Sequence, residues 1–181
     1  MKLSKPFKNC TINSVSQGYS ETHRAVDFFG NYGTFLVAPC NGRVCKIITD
    51  TDIYDEFWQD FKRGYGIIIQ EDDSNRYHLY WHCGQVFPVN MWQRVEQGKT
   101  VIAMMGNSGL CYSHGAEVKQ EDKLKPPYPG THLHQEMFIL EENGQRTYLN
   151  PLTQIDWGLK IGYSLLDTIK QILDNIMRLF R

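Results

Sequence analysis

The stretch Thr131-His132-Leu133-His134-Gln135-Glu136-Met137-Phe138-Ile139 reads as a strand, and it constrains the fold more than any other part of the chain. Successive strand side chains point to opposite faces. His132, His134 and Glu136 therefore share one face, and Leu133 turns the other way, into a core. Two imidazoles on one side of a rigid strand make the beginning of a metal site. An H-x-H pattern is short, however, and taken alone it fits two surface histidines on an exposed strand as well.

The same β pattern recurs along the chain. Residues 34–39 read as a strand, Asn41-Gly42 as a hairpin turn, and residues 43–48 as the returning strand. Further strand-like runs lie at 64–70, 76–82, 101–106 and 148–152. In the second of these, alternation puts His78, Tyr80 and His82 on one face and Tyr77, Leu79 and Trp81 on the other. Residues 1–16 form an irregular lead-in. Residues 50–63 interrupt the pattern with Tyr54, Phe57, Trp58 and Phe61 at helical spacing, which predicts a short amphipathic insertion packed on the sheet. Residues 107–130 form a long loop that holds Cys111 and His114, and loops of that length in compact domains are often functional.

The end of the chain is different. Leu165, Leu166, Ile169, Ile172, Leu173, Ile176 and Phe180 form a helical stripe over 163–181, with Ser164 as N-cap. Such an amphipathic helix has three options: docking on its own domain or a partner protein, self-association, or lying on a membrane surface. Its polar face mixes both signs, which favours the first two.

Composition removes several function classes. A net charge of -1 with no clustered Lys and Arg argues against sequence-independent grip on nucleic acid. No apolar run is long enough to span a bilayer, and the basic N-terminus lacks the apolar core of a secretory leader. Five cysteines, with no C-x2-C pair among them, read as free and mostly buried thiols.

His23 and Asp27 are four apart, so they share a side of either a helix or a strand. A hydrolytic zinc takes three protein ligands and keeps one position for water. His23, Asp27 and one histidine of the 132/134 pair supply such a set, and the remaining histidines are free for proton transfer.

These residues and their neighbours carry a resemblance. His23-x3-Asp27 is followed by Gly33, Thr34, Ala38, Gly42 and Val44, then by Tyr80-Trp81-His82. Next come Val95, Gly98, Ile102, Gly106, Ser108 and Gly109, with one residue extra between Gly98 and Ile102. His132-Leu133-His134-x-Glu136 and Asn150-Pro151-Leu152 close the series. In this order and spacing the chain resembles the zinc metallopeptidases of the lysostaphin/LytM type, peptidase family M23, over roughly residues 17–157.

The resemblance implies a mainly β fold: an antiparallel sandwich or open barrel of the LytM type with long loops, here followed by the C-terminal amphipathic α-helix. It implies one zinc ion held by His23, Asp27 and His134. His132 would be the general base, and His82 the second catalytic histidine, orienting water or stabilising the tetrahedral intermediate. Tyr19 would donate to the oxyanion, as a tyrosine upstream of the first ligand does in some relatives. Glu136 fits a hydrogen bond behind a ligand histidine, or simply an ordinary strand acid. The segment between Gly109 and Thr131 is much longer than the few residues usual in the family, and the 50–63 insertion is also unusual. Both are placed to reset specificity.

The expected function is hydrolysis of stem or cross-bridge peptides of bacterial peptidoglycan. Without a leader, the expected route to the cell wall is lysis or a phage particle, as an endolysin or virion-associated hydrolase. The competing expectation is a catalytically silent relative that serves a larger assembly. Loss of a ligand would be its mark, and none is missing here.

Overall fold

A computed structural model describes residues 2–49 and 64–157. The expected amphipathic insertion at 50–63 and the helix at 163–181 lie outside the described residues. The described part is mainly β and antiparallel, with no α-helix.

The main sheet has eight strands. Its centre is β11 (His132–Leu140), flanked by β2 (Val26–Phe29) on one side and β6 (Arg76–Trp81) on the other. Beyond β2 lies β1 (Val15–Gln17). Beyond β6 follow β5 (Gly66–Glu71), β4 (Gly42–Ile48) and the two-residue β7 (Arg94–Val95). β12 (Arg146–Tyr148) pairs with the far end of β11. A second, two-stranded sheet joins β3 (Phe35–Val37) to β8 (Val101–Met104). A small hairpin, β9 (Tyr112–Ser113) with β10 (Ala116–Glu117), stands inside the long segment expected as a loop.

Alternation in the strands sorts residues onto the two faces of the main sheet. Val26 and Phe28 of β2, Ile67 and Ile69 of β5, Tyr80 of β6, and Leu133 and Met137 of β11 enter the principal core. That core is completed by Leu36, Ile102 and Ala103 of the small sheet. The opposite face carries a smaller cluster of Ile68, Leu79, Trp81 and Phe138. His134 and Glu136 are on this second face, in step with Phe138. The lead-in also belongs to the domain, since Leu3, Phe7 and Cys10 are buried in the principal core and Leu3 bridges to Ile155.

Two local expectations need correction. Asn41-Gly42 is not the turn of a hairpin between β3 and β4. β3 pairs with β8, and β4 pairs with β5, so the chain crosses there from the small sheet to the large one. Gly42 is required for a different reason: a Cβ on it would lie 2.0 Å from the Gln70 carbonyl oxygen. The second correction concerns His82, which does not share a face with His78 and Tyr80. β6 ends at Trp81, and His82 has a left-handed φ of 59°. That single dihedral breaks the alternation and turns the imidazole to the other side of the sheet. His78 stays on the core side, fully buried, against Glu71 at 3.3 Å.

The five cysteines are free, as expected, and four of them are buried. Among the described residues no helix is long and apolar enough to cross a membrane.

Candidate metal centre

Strand register builds the site. His134 of β11 stands directly opposite Asp27 of β2, and paired residues of neighbouring strands present their side chains on the same face. His134 Nδ1 lies 2.8 Å from Asp27 Oδ1. His23 precedes β2, and its Nε2 reaches Asp27 Oδ2 at 3.3 Å. The His23 and His134 rings meet edge to face, centroids 5.1 Å apart.

The hydrogen bonds behind these atoms fix what they can do. His23 Nδ1 faces the Gly18 carbonyl at 3.1 Å. A carbonyl only accepts, so Nδ1 carries the proton and Nε2 offers a lone pair to the site. His134 has a carboxylate at each nitrogen, Glu136 at 3.1 Å from Nε2 and Asp27 at 2.8 Å from Nδ1; a cation bound at Nδ1 would leave the proton on Nε2, facing Glu136. Asp27 Oδ1 is buried, and the ring nitrogen beside it is His134 Nδ1. Two imidazole nitrogens and a carboxylate thus converge on one point.

An imidazole nitrogen and a carboxylate oxygen held this close share either a proton or a cation. Tetrahedral ligands about 2.0–2.1 Å from zinc stand roughly 3.3 Å from one another. The 3.3 Å between His23 and Asp27 Oδ2 is of that size, the 2.8 Å between His134 and Asp27 Oδ1 is shorter and of hydrogen-bond length, and the three ligand atoms all lie within 4.8 Å of one another. Two neutral imidazoles and one carboxylate are also a donor set that zinc takes in hydrolytic sites. The residues fit the ion.

Two more histidines face this cluster. His132 lies one alternation from His134, and its ring is 4.5 Å from that of His82. His132 Nδ1 donates to the Gly130 carbonyl at 2.8 Å, and His82 Nδ1 to the Ser108 carbonyl at 2.7 Å. Each is therefore held as the tautomer whose Nε2 accepts. Burial lowers the affinity of both for a proton, and His82 is pushed down further by His132 and His134. Burial raises the Asp27 carboxyl, but the pull of His134, with His132 and His23 behind it, outweighs that and holds it below its ordinary range. For His134, burial acts downward, and Asp27 and Glu136 overcome it.

The cluster sits in a cleft of about 920 Å³. β1 forms one wall, through Ser16 and Gln17, and the long 110–115 segment forms another. Cys111 packs its sulfur 3.3 Å from His82 Nδ1; burial pushes its thiol up to about 12, so it stays protonated. His114 lines the cleft from the exposed tip of the small hairpin and joins no metal-binding group among the described residues.

Of the residues singled out in the sequence, His23, Asp27, His82, His132 and His134 come together. Tyr19 does not join them: its hydroxyl donates to the Tyr148 carbonyl at 3.3 Å, and it does not line the cleft. The carbonyls of Gly18, Gly130 and Ser108, which set three tautomers, were not identified from the sequence. Backbone acceptors leave no side-chain signal, although two of the three are glycines, one of them, Gly130, in a turn.

The sequence model of peptidase family M23 matches residues 21–151. No curated protein matches the chain. Among solved structures, a zinc-containing peptidase from Vibrio cholerae aligns with a TM-score of 0.56 at 16% identity, over 82% of this chain and 39% of that one. LytU aligns with a TM-score of 0.53 at 21% identity, over 81% of this chain and 86% of that one. The antimicrobial peptidase lysostaphin from Staphylococcus simulans gives 0.55 at 20% identity, over 83% and 53% respectively. The chain thus spans about two fifths of the first and about half of lysostaphin. At these identities the likeness is one of fold.

Proposed function

Because the chain belongs to peptidase family M23, we propose that it is a zinc-dependent endopeptidase acting on peptides of the bacterial cell wall. The observation that carries this reading is the convergence of His23 Nε2, His134 Nδ1 and the Asp27 carboxylate on one point. Zinc held by His23, Asp27 and His134 would polarise the scissile carbonyl and make an attacking water more acidic.

The chain's own groups do the rest. Glu136 and the Gly18 carbonyl hold the two ligand imidazoles in the orientation the ion needs. His132 Nε2, kept neutral by burial, accepts the proton of the attacking water and later delivers it to the leaving amine. His82 Nε2, anchored through Ser108, orients that water from the neighbouring side. The cleft takes an extended peptide between β1 and the 110–115 segment. Peptidoglycan peptides are the substrate class that the family resemblance supports.

Digestion of purified peptidoglycan by the wild type and by His132→Ala tests the reading. The wild type should release peptides, and the variant should lose about 10²–10⁴ in rate with its zinc content unchanged. A zinc-loaded wild type no faster than the variant would overturn it.

A further inference from the structure

A second pocket, of about 340 Å³, opens beside the cleft, and Leu110 lines both. Its wall includes Ser108, whose carbonyl holds His82 Nδ1, and Cys83, the next residue in the chain. The rest comes largely from the long segment that sets this chain apart from its family: Gln120, Lys123 and Leu124, facing Tyr32 and Tyr65.

Lys123 is the unusual member. It is 7% exposed, and its ammonium donates to the Gly109 carbonyl. Among the described residues no carboxylate lies within ion-pair distance of it, whereas Lys125, two residues on, pairs with Asp122. An ammonium has three protons to donate, and a neutral carbonyl accepts one of them without cancelling the charge. Removing such a group from water without a counter-charge is costly. The backbone around it is firmly held. Asn107, itself buried, donates from one amide nitrogen to the carbonyls of Lys123 and Pro129, and Tyr128 stacks on Tyr32 at 4.5 Å. The lysine is therefore kept in the pocket by a rigid wall, not by chance of a flexible loop.

We propose that this pocket is an accessory subsite for a carboxylate of the peptide substrate, with Lys123 as its counter-charge. The inference rests on the endopeptidase reading and adds a specificity determinant to it. The carboxylate is either the free C-terminus of the peptide or an acidic side chain along it. The exposed Glu117 on the rim leaves the subsite selective against a second negative charge.

Binding separates this idea from turnover. Zinc-loaded His132→Ala protein is titrated, by calorimetry, with four probes: trialanine free acid, trialanine amide, N-acetyl-Ala-Glu-Ala amide and N-acetyl-Ala-Gln-Ala amide. One acid should bind roughly tenfold or more tighter than its neutral twin, the size of a charge-assisted hydrogen bond. Which acid does so tells the C-terminus from the side chain. That preference should vanish in Lys123→Gln, and also in Gln120→Glu, an exposed position that adds a competing charge without touching the buried wall. Equal binding of acids and neutral twins overturns the proposal. So does an acid preference that survives in both variants, because it then comes from the zinc. Loss of peptidoglycan digestion by the wild type would instead overturn the endopeptidase reading, whatever the probes show.

Discussion

His132 and His82 each commit Nδ1 to a backbone carbonyl and leave Nε2 to accept, while His134 is turned round, with Nε2 on Glu136 and Nδ1 inward. Three histidines of one cluster thus have their roles set by what lies behind them. The alternation of the 131–139 strand was enough to put His132, His134 and Glu136 on one face. It was not enough to orient a ring, because Gly130 and Ser108 act through main-chain oxygens. Alternation failed outright at His82, where one left-handed residue reverses the face. A non-glycine residue in that region costs of order 1–3 kcal/mol, and such strain gathers at functional sites. Glu136 gives the sharpest test at this scale. Glu136→Gln should keep the fold but weaken zinc binding about 10–100-fold, measured against a competing chelator. Unchanged affinity would make Glu136 an ordinary strand acid.

At the scale of elements, β11 is the organising strand: β2 brings Asp27 to it from one side, and β6 hands on His82 from the other. The strand runs themselves were legible, because each alternates and is bounded by turn residues. Their partners were less so. Asn41-Gly42 looks like a hairpin, yet β4 is drawn to the isoleucine-rich β5 and β3 to β8. Only the folded sheet reveals that Gly42 serves a close approach to Gln70. Gly42→Ala should therefore cost at least about 2 kcal/mol in chemical denaturation. A variant as stable as the wild type would mean that the β4–β5 contact is looser than described. The long 107–130 segment is the other element that pattern could not resolve. Its buried Asn107 is tied to the carbonyls of Lys123 and Pro129, 16 and 22 residues on, which no local pattern announces.

For the molecule as a whole, the face opposite the site holds an acid-sensitive network among the described residues. Arg76 grips Glu71 through two hydrogen bonds of 2.5 and 2.6 Å, and fully buried His78 lies against the same carboxylate. Burial acts to raise the Glu71 carboxyl, but His78 and Arg76 outweigh it and hold it at about 2, against an ordinary 4.5. Burial lowers His78 below its ordinary 6.5, which the Glu71 contact only partly offsets. Both folded values lie below the unfolded ones, so both groups add stability above the unfolded values and lose it on acidification. Melting should decline first below about pH 6.5 as His78 is driven to charge, then more steeply from about pH 4.5 towards 2 as Glu71 is protonated. Glu71→Gln should be less stable at neutral pH by roughly 3 kcal/mol and show a flatter acid limb. An unaltered acid limb would place the sensitivity elsewhere.

The centre depends on a cation drawing His23, Asp27 and His134 together. Calorimetric titration of metal-free protein with zinc tests this directly, comparing the wild type with Asp27→Ala. The wild type should take up one ion per chain, and the variant should bind it more weakly by well over the roughly 10–100-fold expected from losing a merely supporting group. A wild type that takes up no zinc, or a variant that binds it equally well, would contradict the account.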